Sequence, residues 1–255
     1  MVVGPRRVVL QVEGAGPLTM IVLDADTGRR RELGRAPLAP GDEPAKPWGR
    51  PPLPIDEDHV CVTLGPNNVA LVNLTTGARV WTSQVATPAL PRFGPPRLLG
   101  DATRLLVVYE GNELIRLDPA TGRRLWSRSL GLGDLSDSPT ALAVDGDRVF
   151  CAIGATLAAY SLSDGQPAWS RPLTGPRSGW SVALADRYVA AYPAPGRGDD
   201  AIESLPLVLC RRDDGAIVQR LAFPATVSEL AVSLLPKGAI VATQGGAWAL
   251  GSAKD

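Results

Sequence analysis

The chain has 255 residues, in which 26 Lys and Arg are balanced by 26 Asp and Glu, 45% are hydrophobic and one is histidine. Zero net charge gives no long-range field to draw the molecule to nucleic acid or to an anionic membrane, and neither is an expected partner. No run reaches the ~20 apolar residues of a membrane helix, while 27 Gly and 24 Pro point to many short strands joined by turns.

At the N-terminus, M-V-V reads as one short strand and R-R-V-V-L-Q-V as the next. The basic pair follows the first apolar residues, and Glu13 interrupts before a signal-like core develops, so no export signal is read and a cytoplasmic location is expected. Five segments then repeat along the chain. They are L-T-M-I-V-L-D-A-D-T-G-R-R, V-A-L-V-N-L-T-T-G-A-R-V-W, E-L-I-R-L-D-P-A-T-G-R-R-L-W, L-A-A-Y-S-L-S-D-G-Q-P-A-W and L-V-L-C-R-R-D-D-G-A-I-V. Their glycines, Gly28, Gly77, Gly122, Gly165 and Gly215, are separated by 49, 45, 43 and 50 residues, near the period of a propeller blade.

Each segment reads as a strand, a turn closing on glycine, and a further strand. Upstream of each lies another apolar run, such as D-H-V-C-V-T-L, T-R-L-L-V-V-Y, D-R-V-F-C-A-I and D-R-Y-V-A-A-Y, usually after a weaker one such as T-A-L-A-V at 140–144 or E-L-A-V-S at 229–233. The order per unit is inner, second and third strand, glycine turn, outer strand. A sixth unit, with K-G-A-I-V-A-T, reaches Q-G-G-A-W-A-L-G and lacks an outer strand. The expected fold is all-β: one domain over residues 1–255, a β-propeller of about six four-stranded blades with its last blade incomplete. Either the ring is open or strained, or the last edge pairs with another protein by strand addition.

A Trp stands four residues beyond the glycine in three units, as Trp81, Trp126 and Trp169, whereas Glu32 and Gln219 occupy that place in the first and fifth. With this spacing, and with E-G-N-E-L-I-R-L-D-P-A-T-G-R-R-L-W at 110–126 as its best copy, the chain resembles the quinoprotein-type (PQQ-like) β-propeller repeat family. That repeat also builds the propeller lipoprotein of outer-membrane assembly. The resemblance implies a structural role between blades for Trp81, Trp126 and Trp169, and it does not extend that role to Trp248, which falls in the third strand of the last unit.

Two insertions interrupt the spacing, at 36–54 and 192–206. The first is proline-rich and holds Trp48 between Lys46 and Arg50; the second contains Arg197-Gly198-Asp199 within the fifth unit. Trp48, Arg50, Arg197 and Trp248 are the candidate partner contacts, since loops on rigid scaffolds carry contacts and aromatics flanked by cations serve as anchors.

Chemical equipment is sparse. His59 stands alone in D-E-D-H-V-C, so a catalytic triad or a multi-histidine metal site would have to centre on it, and it reads instead as a turn residue beside acids. Cys61, Cys151 and Cys210 are odd in number, widely spaced and set in apolar runs, as expected of buried reduced thiols. Neither a phosphate-binding glycine loop nor a nucleophile elbow occurs. The acidic turns lack the ligand alternation of a calcium loop and read as hydrogen-bonded turns. No catalytic, metal or cofactor residue is assigned. The expected function is a non-enzymatic interaction scaffold or subunit of a larger bacterial assembly. The alternatives are a quinoprotein-like dehydrogenase or a degenerate relative, and an envelope protein-assembly factor.

Overall fold

The computed structural model describes residues 2–3, 7–12, 19–24, 26–33, 51–64, 67–85, 96–109, 113–130, 141–174, 179–194, 204–224, 230–235, 238–243 and 246–251. All the regular structure in these residues is β. The chain divides into two compact units, Met1–Ser129 and Leu130–Asp255.

The first unit holds three four-stranded antiparallel sheets. They are β1 (Val2–Val3), β2 (Arg7–Val12), β3 (Thr19–Asp24) and β4 (Arg30–Leu33); β5 (Leu53–Pro54), β6 (His59–Leu64), β7 (Asn68–Asn73) and β8 (Arg79–Gln84); and β9 (Arg97–Asp101), β10 (Arg104–Tyr109), β11 (Glu113–Leu117) and β12 (Arg124–Ser129). In the second unit, β13 (Ala141–Asp145), β14 (Arg148–Ile153), β15 (Thr156–Ser161) and β16 (Pro167–Pro172) form one sheet. A second contains β17 (Trp180–Leu184), β18 (Tyr188–Pro193), β19 (Ser204–Arg211) and β20 (Ile217–Pro224). The last sheet has three strands among the described residues, β21 (Ala231–Leu235), β22 (Gly238–Thr243) and β23 (Gly246–Gly251).

Within every sheet the strands pair in chain order, each antiparallel to the next, which is the up-and-down blade of a propeller. The fold is an all-β propeller of about six blades. The expected order of inner, second, third and outer strand holds in each complete sheet, and β1 is the inner strand at M-V-V. Inner strands shift slightly from their expected places: β13 and β21 each begin one or two residues later than the sequence suggested. In addition, β5 lies at the end of the 36–54 insertion, and β18 and β19 extend into both ends of the 192–206 insertion.

Burial explains the two kinds of apolar pattern. The second and third strands are covered on both faces, so H-V-C-V-T-L in β6 and N-V-A-L-V-N in β7 are continuous apolar runs. Along β6 and β7, Val60, Val62, Leu64, Ala70 and Val72 pack with Val22 of the first sheet. Cys61, Val69 and Leu71 point the other way, to Leu105, Ile115 and Leu117 of the third. The second unit repeats this arrangement, with Val189, Ala191, Val208 and Cys210 facing the fourth sheet, and Ala190 and Leu207 the sixth. Outer strands alternate between covered and exposed positions, as in β8, because only one of their faces meets a neighbour.

The three thiols are buried, and burial pushes all of them up, Cys210 to about 11 despite the nearby cations Arg171 and Arg220. Such thiols carry almost no thiolate at neutral pH. The native protein is therefore expected to leave all three unmodified by a disulfide reagent at pH 8, with all three reacting in denaturant. Rapid labelling of even one in the folded protein would contradict this packing.

Candidate interaction surface

The repeated turn is set by short-range chemistry. In the first sheet Gly28 N–H donates to the Asp24 carbonyl at 2.9 Å, and Asp24 N–H to the Arg29 carbonyl at 3.0 Å. The Asp24 carboxylate accepts from the main-chain N–H of Thr27 at 2.8 Å and from the Thr27 hydroxyl at 2.7 Å. Asn73 does the same for Thr75 and Thr76, and Asp118 for Ala120 and Thr121. These side-chain oxygens thus serve the hydrogen bonding of their own turns. In the fifth sheet Arg211 takes the first position, and its hydrogen bond holds the Asp214 carboxyl down at about 2.

In the second to fifth sheets the turn is followed by a register shift at one place, which the first sheet lacks. It falls between Leu71 and Val72, Arg116 and Leu117, Ala159 and Tyr160, and Leu209 and Cys210. Directly before the shift, Trp81 lies opposite Leu71, Trp126 opposite Arg116, Trp169 opposite Ala159 and Gln219 opposite Leu209. At Trp81 and Trp169 the bulge aims the outer-strand side chain at the following sheet.

Trp81 and Trp169 reach the next turn in the same way. The Trp81 indole N–H donates to the Pro119 carbonyl at 2.8 Å, and the Trp169 N–H to the Arg212 carbonyl at 2.9 Å. Both acceptors stand three residues before a turn glycine, and each ring covers that glycine. A Cβ on Gly122 would lie 2.5 Å from the Trp81 ring, and one on Gly215 would lie 2.5 Å from the Trp169 ring. Trp126, on β12, is half-buried.

Arginines supply the rest of these joints. In the first sheet, which has no Trp at this place, Arg31 donates to the Leu74 carbonyl at 3.2 Å and to that of Thr75. Arg171 donates to the carbonyls of Gly215 at 2.9 Å and Asp214 at 2.8 Å. Arg148 donates to those of Arg212 and Asp213, both at 2.6 Å. Arg212 replaces the buried Leu74 and Leu162 of the equivalent turns. Its guanidinium lies 5.3 Å from the Phe150 ring centre, pairs with Asp145 at 2.5 Å and donates to the Ala185 carbonyl at 2.9 Å. Arg212→Ala is expected to cost about 2–3 kcal/mol of stability through the lost cation–π contact and charged hydrogen bonds. Arg212→Leu restores the apolar filler of two other turns, so its cost is expected to be smaller, about 1 kcal/mol. Denaturant titration of the two variants checks this order.

His59 is half-buried and structural. Its Nδ1 lies 2.9 Å from Asp56 Oδ1, and its Nε2 lies 3.3 Å from Asn73 Nδ2. Because Asn73 Oδ1 accepts from Thr75 and Thr76 N–H, the amide nitrogen faces the ring, so Nε2 accepts and Nδ1 donates. The ring thereby ties two turns of the second sheet together. Hydrogen bonds from Asp58 N–H and His59 outweigh the upward push of burial on Asp56 and hold its carboxyl below the usual range. Among the described residues no three His, Cys, Asp or Glu side chains converge as a metal-binding group, and they contain no helix long and apolar enough to cross a membrane.

Of the candidate partner contacts, Trp48, Arg50 and Arg197 lie outside the described residues. Trp248 is in β23, opposite Val241 of β22. The far side of β23 has no paired strand among the described residues. Sequence reasoning did not single out Trp180, the largest fully buried side chain, or the arginines of the joints.

Residues 18–192 match the family model described as outer membrane protein assembly factor BamB. The chain belongs to this family. No curated protein matches it. Among solved structures, the BamB of Moraxella catarrhalis is similar with a TM-score of 0.51 and 17% identity, over 96% of this chain and 81% of its own. The computationally designed protein Ika8 gives a TM-score of 0.69 and 15% identity, over 98% of this chain and 69% of its own. The quinohemoprotein alcohol dehydrogenase of Comamonas testosteroni gives 0.53 and 15%, over 80% of this chain and 42% of its own. At these identities the likeness is one of fold, shared by a BamB-type propeller and an enzyme alike.

Proposed function

We propose that the chain is a non-enzymatic interaction scaffold, a subunit of a larger bacterial assembly that engages a partner protein along the last sheet. The observation that carries this reading is the three-stranded sixth sheet, whose β23 edge has unpaired strand geometry among the described residues. An open edge is a template for another polypeptide, and soluble β proteins ordinarily cover or complete it. Family membership supports the reading, since the family is described by its part in assembly.

The same membership favours a second reading, that of an envelope protein-assembly factor. Cell fractionation separates the two. Recovery with the cytoplasm fits a cytoplasmic scaffold, and recovery with the envelope fits the assembly factor. The interaction itself is tested by cross-linking and affinity purification of the tagged full chain from its native host. A stable stoichiometric partner that is lost when residues 246–251 are deleted, in a variant that keeps its strand circular dichroism, is the expected result. Recovery of the free monomer alone would overturn the proposal.

A further inference from the structure

The fifth sheet meets the sixth with a surface unlike those at the other joints. At the place held by Trp81, Trp126 and Trp169, β20 carries Gln219, which is exposed. Two residues further on, Ser83, Arg128 and Arg171 are replaced by Leu221. Two residues beyond that, Val85, Leu130 and Leu173 are buried, whereas Phe223 is half-buried. Leu221 and Phe223 face the sixth sheet, where they pack against a cluster containing Leu230 and Val241.

At the joints led by Trp81 and Trp169, the outer strand grips a glycine turn of the following sheet through an indole, and at the latter also through Arg171. The sixth unit has lost the residues that make such a turn. Set against D-P-A-T-G at 118–122, the residues that end and follow its third strand are G-S-A-K-D at 251–255. Gly251 stands where an oxygen-bearing side chain accepts the turn amides in the first three units, and Asp255 stands where each of the five turns has glycine. An aspartate there would pay a left-handed backbone penalty and would meet an indole, had the fifth sheet kept one. The two changes match: the sequence of the sixth unit lacks the glycine-turn pattern, and among the described residues β20 carries no indole at the place of Trp81 and Trp169.

Building on the scaffold reading above, we infer that the outer position of the sixth sheet is filled in trans. The occupant is an extended segment of another polypeptide, entering without a hairpin turn, pairing with β23 and laying alternate apolar side chains on Leu221 and Phe223. The main chain of β23 supplies the pairing. The two side chains select apolar residues on one face of the incoming strand, whereas the turns delivered in cis elsewhere are held by an indole or a guanidinium, and the arginine of β20, Arg220, bonds Thr174 Oγ1 instead.

The test uses the full chain and two fluorescein-labelled peptides of about seven residues, one alternating Thr and Val and the other Thr and Lys. Binding is read by polarisation, and the bound site by hydrogen exchange. The Thr-Val peptide is expected to bind and to slow exchange across 246–251, while the Thr-Lys peptide binds at least about tenfold more weakly. Leu221→Ser, which copies the residue present as Ser83, is expected to weaken Thr-Val binding by a similar factor. Val218→Lys, on an exposed position of the same strand, should leave it unchanged. Equal binding of the two peptides, or indifference to Leu221→Ser in a variant with wild-type circular dichroism, would overturn the apolar selection. No binding, or protection that falls outside 246–251, would overturn the site. Neither result touches the co-purification outcome on which the scaffold reading stands.

Discussion

Gly215→Ala is expected to destabilise the protein by about 2–5 kcal/mol, while Gly28→Ala costs about 1–2 kcal/mol. Both residues have positive φ, +71° and +67°, so both substitutions force an L-residue into the left-handed region. They differ in what the new methyl group meets. Nothing lies within 4 Å of the Cβ position at Gly28, but at Gly215 the Trp169 ring is 2.5 Å away and held by its bond to Arg212. The conformational penalty is common to both, and the excess at Gly215 measures how firmly the indole is seated. Urea titrations followed by circular dichroism provide the comparison. Equal losses at the two sites would mean that the ring yields freely. Gly122, under Trp81, is expected to behave like Gly215.

Trp169→Ala is expected to cost about 3–5 kcal/mol, near the upper range for a single core truncation. The side chain is 7% exposed and belongs to the cluster joining the fourth and fifth sheets, with its ring centre 6.0 Å from that of Phe150. Trp169→Phe separates packing from hydrogen bonding. It keeps an aromatic ring but loses the indole N–H, while the Arg212 carbonyl still accepts from Arg148 at 2.6 Å. The acceptor is therefore not orphaned, and the hydrogen-bond part of the Phe variant's loss is expected to be about 0.5–1.5 kcal/mol. A Phe variant as unstable as the Ala variant would shift the weight of the joint from the buried ring to the hydrogen bond. The same titrations measure both.

These two substitutions act on what was easiest to read in the sequence. The glycine turns were legible because their determinants lie within five residues: an oxygen-bearing side chain in four of the five and Arg211 in the fifth, a Thr or Asp before the glycine, and the glycine itself. Gly28, Gly77, Gly122, Gly165 and Gly215 all take the positive φ that this pattern demands. The second and third strands were legible as apolar runs because neighbouring sheets cover both faces. Inner strands were harder. β5 has only Leu53 and Pro54, and in a proline-rich stretch nothing local marks two residues as paired.

The arginine contacts were not legible at all. Arg31, Arg148 and Arg171 bind main-chain carbonyls 43 to 65 residues away, and a carbonyl acceptor leaves no trace in residue identity. Arg212 did leave one, since R-R-D-D-G places an arginine where two other turns have leucine, but only the fold shows that the side chain turns back to Asp145 and Phe150. Trp180 stands outside the repeat register, which hid the largest fully buried side chain of the core. For the candidate interaction surface, the missing outer strand could be counted from the repeats. The exchange of Trp for Gln219 was visible too, but its partner change to Leu221 gained meaning only once the facing sheets were known.

The indole joints have a direction. Trp81 and Trp169 each reach forward along the chain to a turn that comes later, and Arg31 does likewise. Within each unit, the two ways of losing a sheet are therefore unequal. Removing the earlier sheet bares a glycine turn, which water solvates well. Removing the later sheet strands an indole or a guanidinium without its seat and opens apolar surface to solvent. During synthesis the first, second and fourth sheets each emerge before the seat for their own anchor exists, so a nascent chain ending at one of them carries an unsatisfied anchor until the next turn forms. At the fifth sheet that succession stops with Gln219, a side chain that water satisfies.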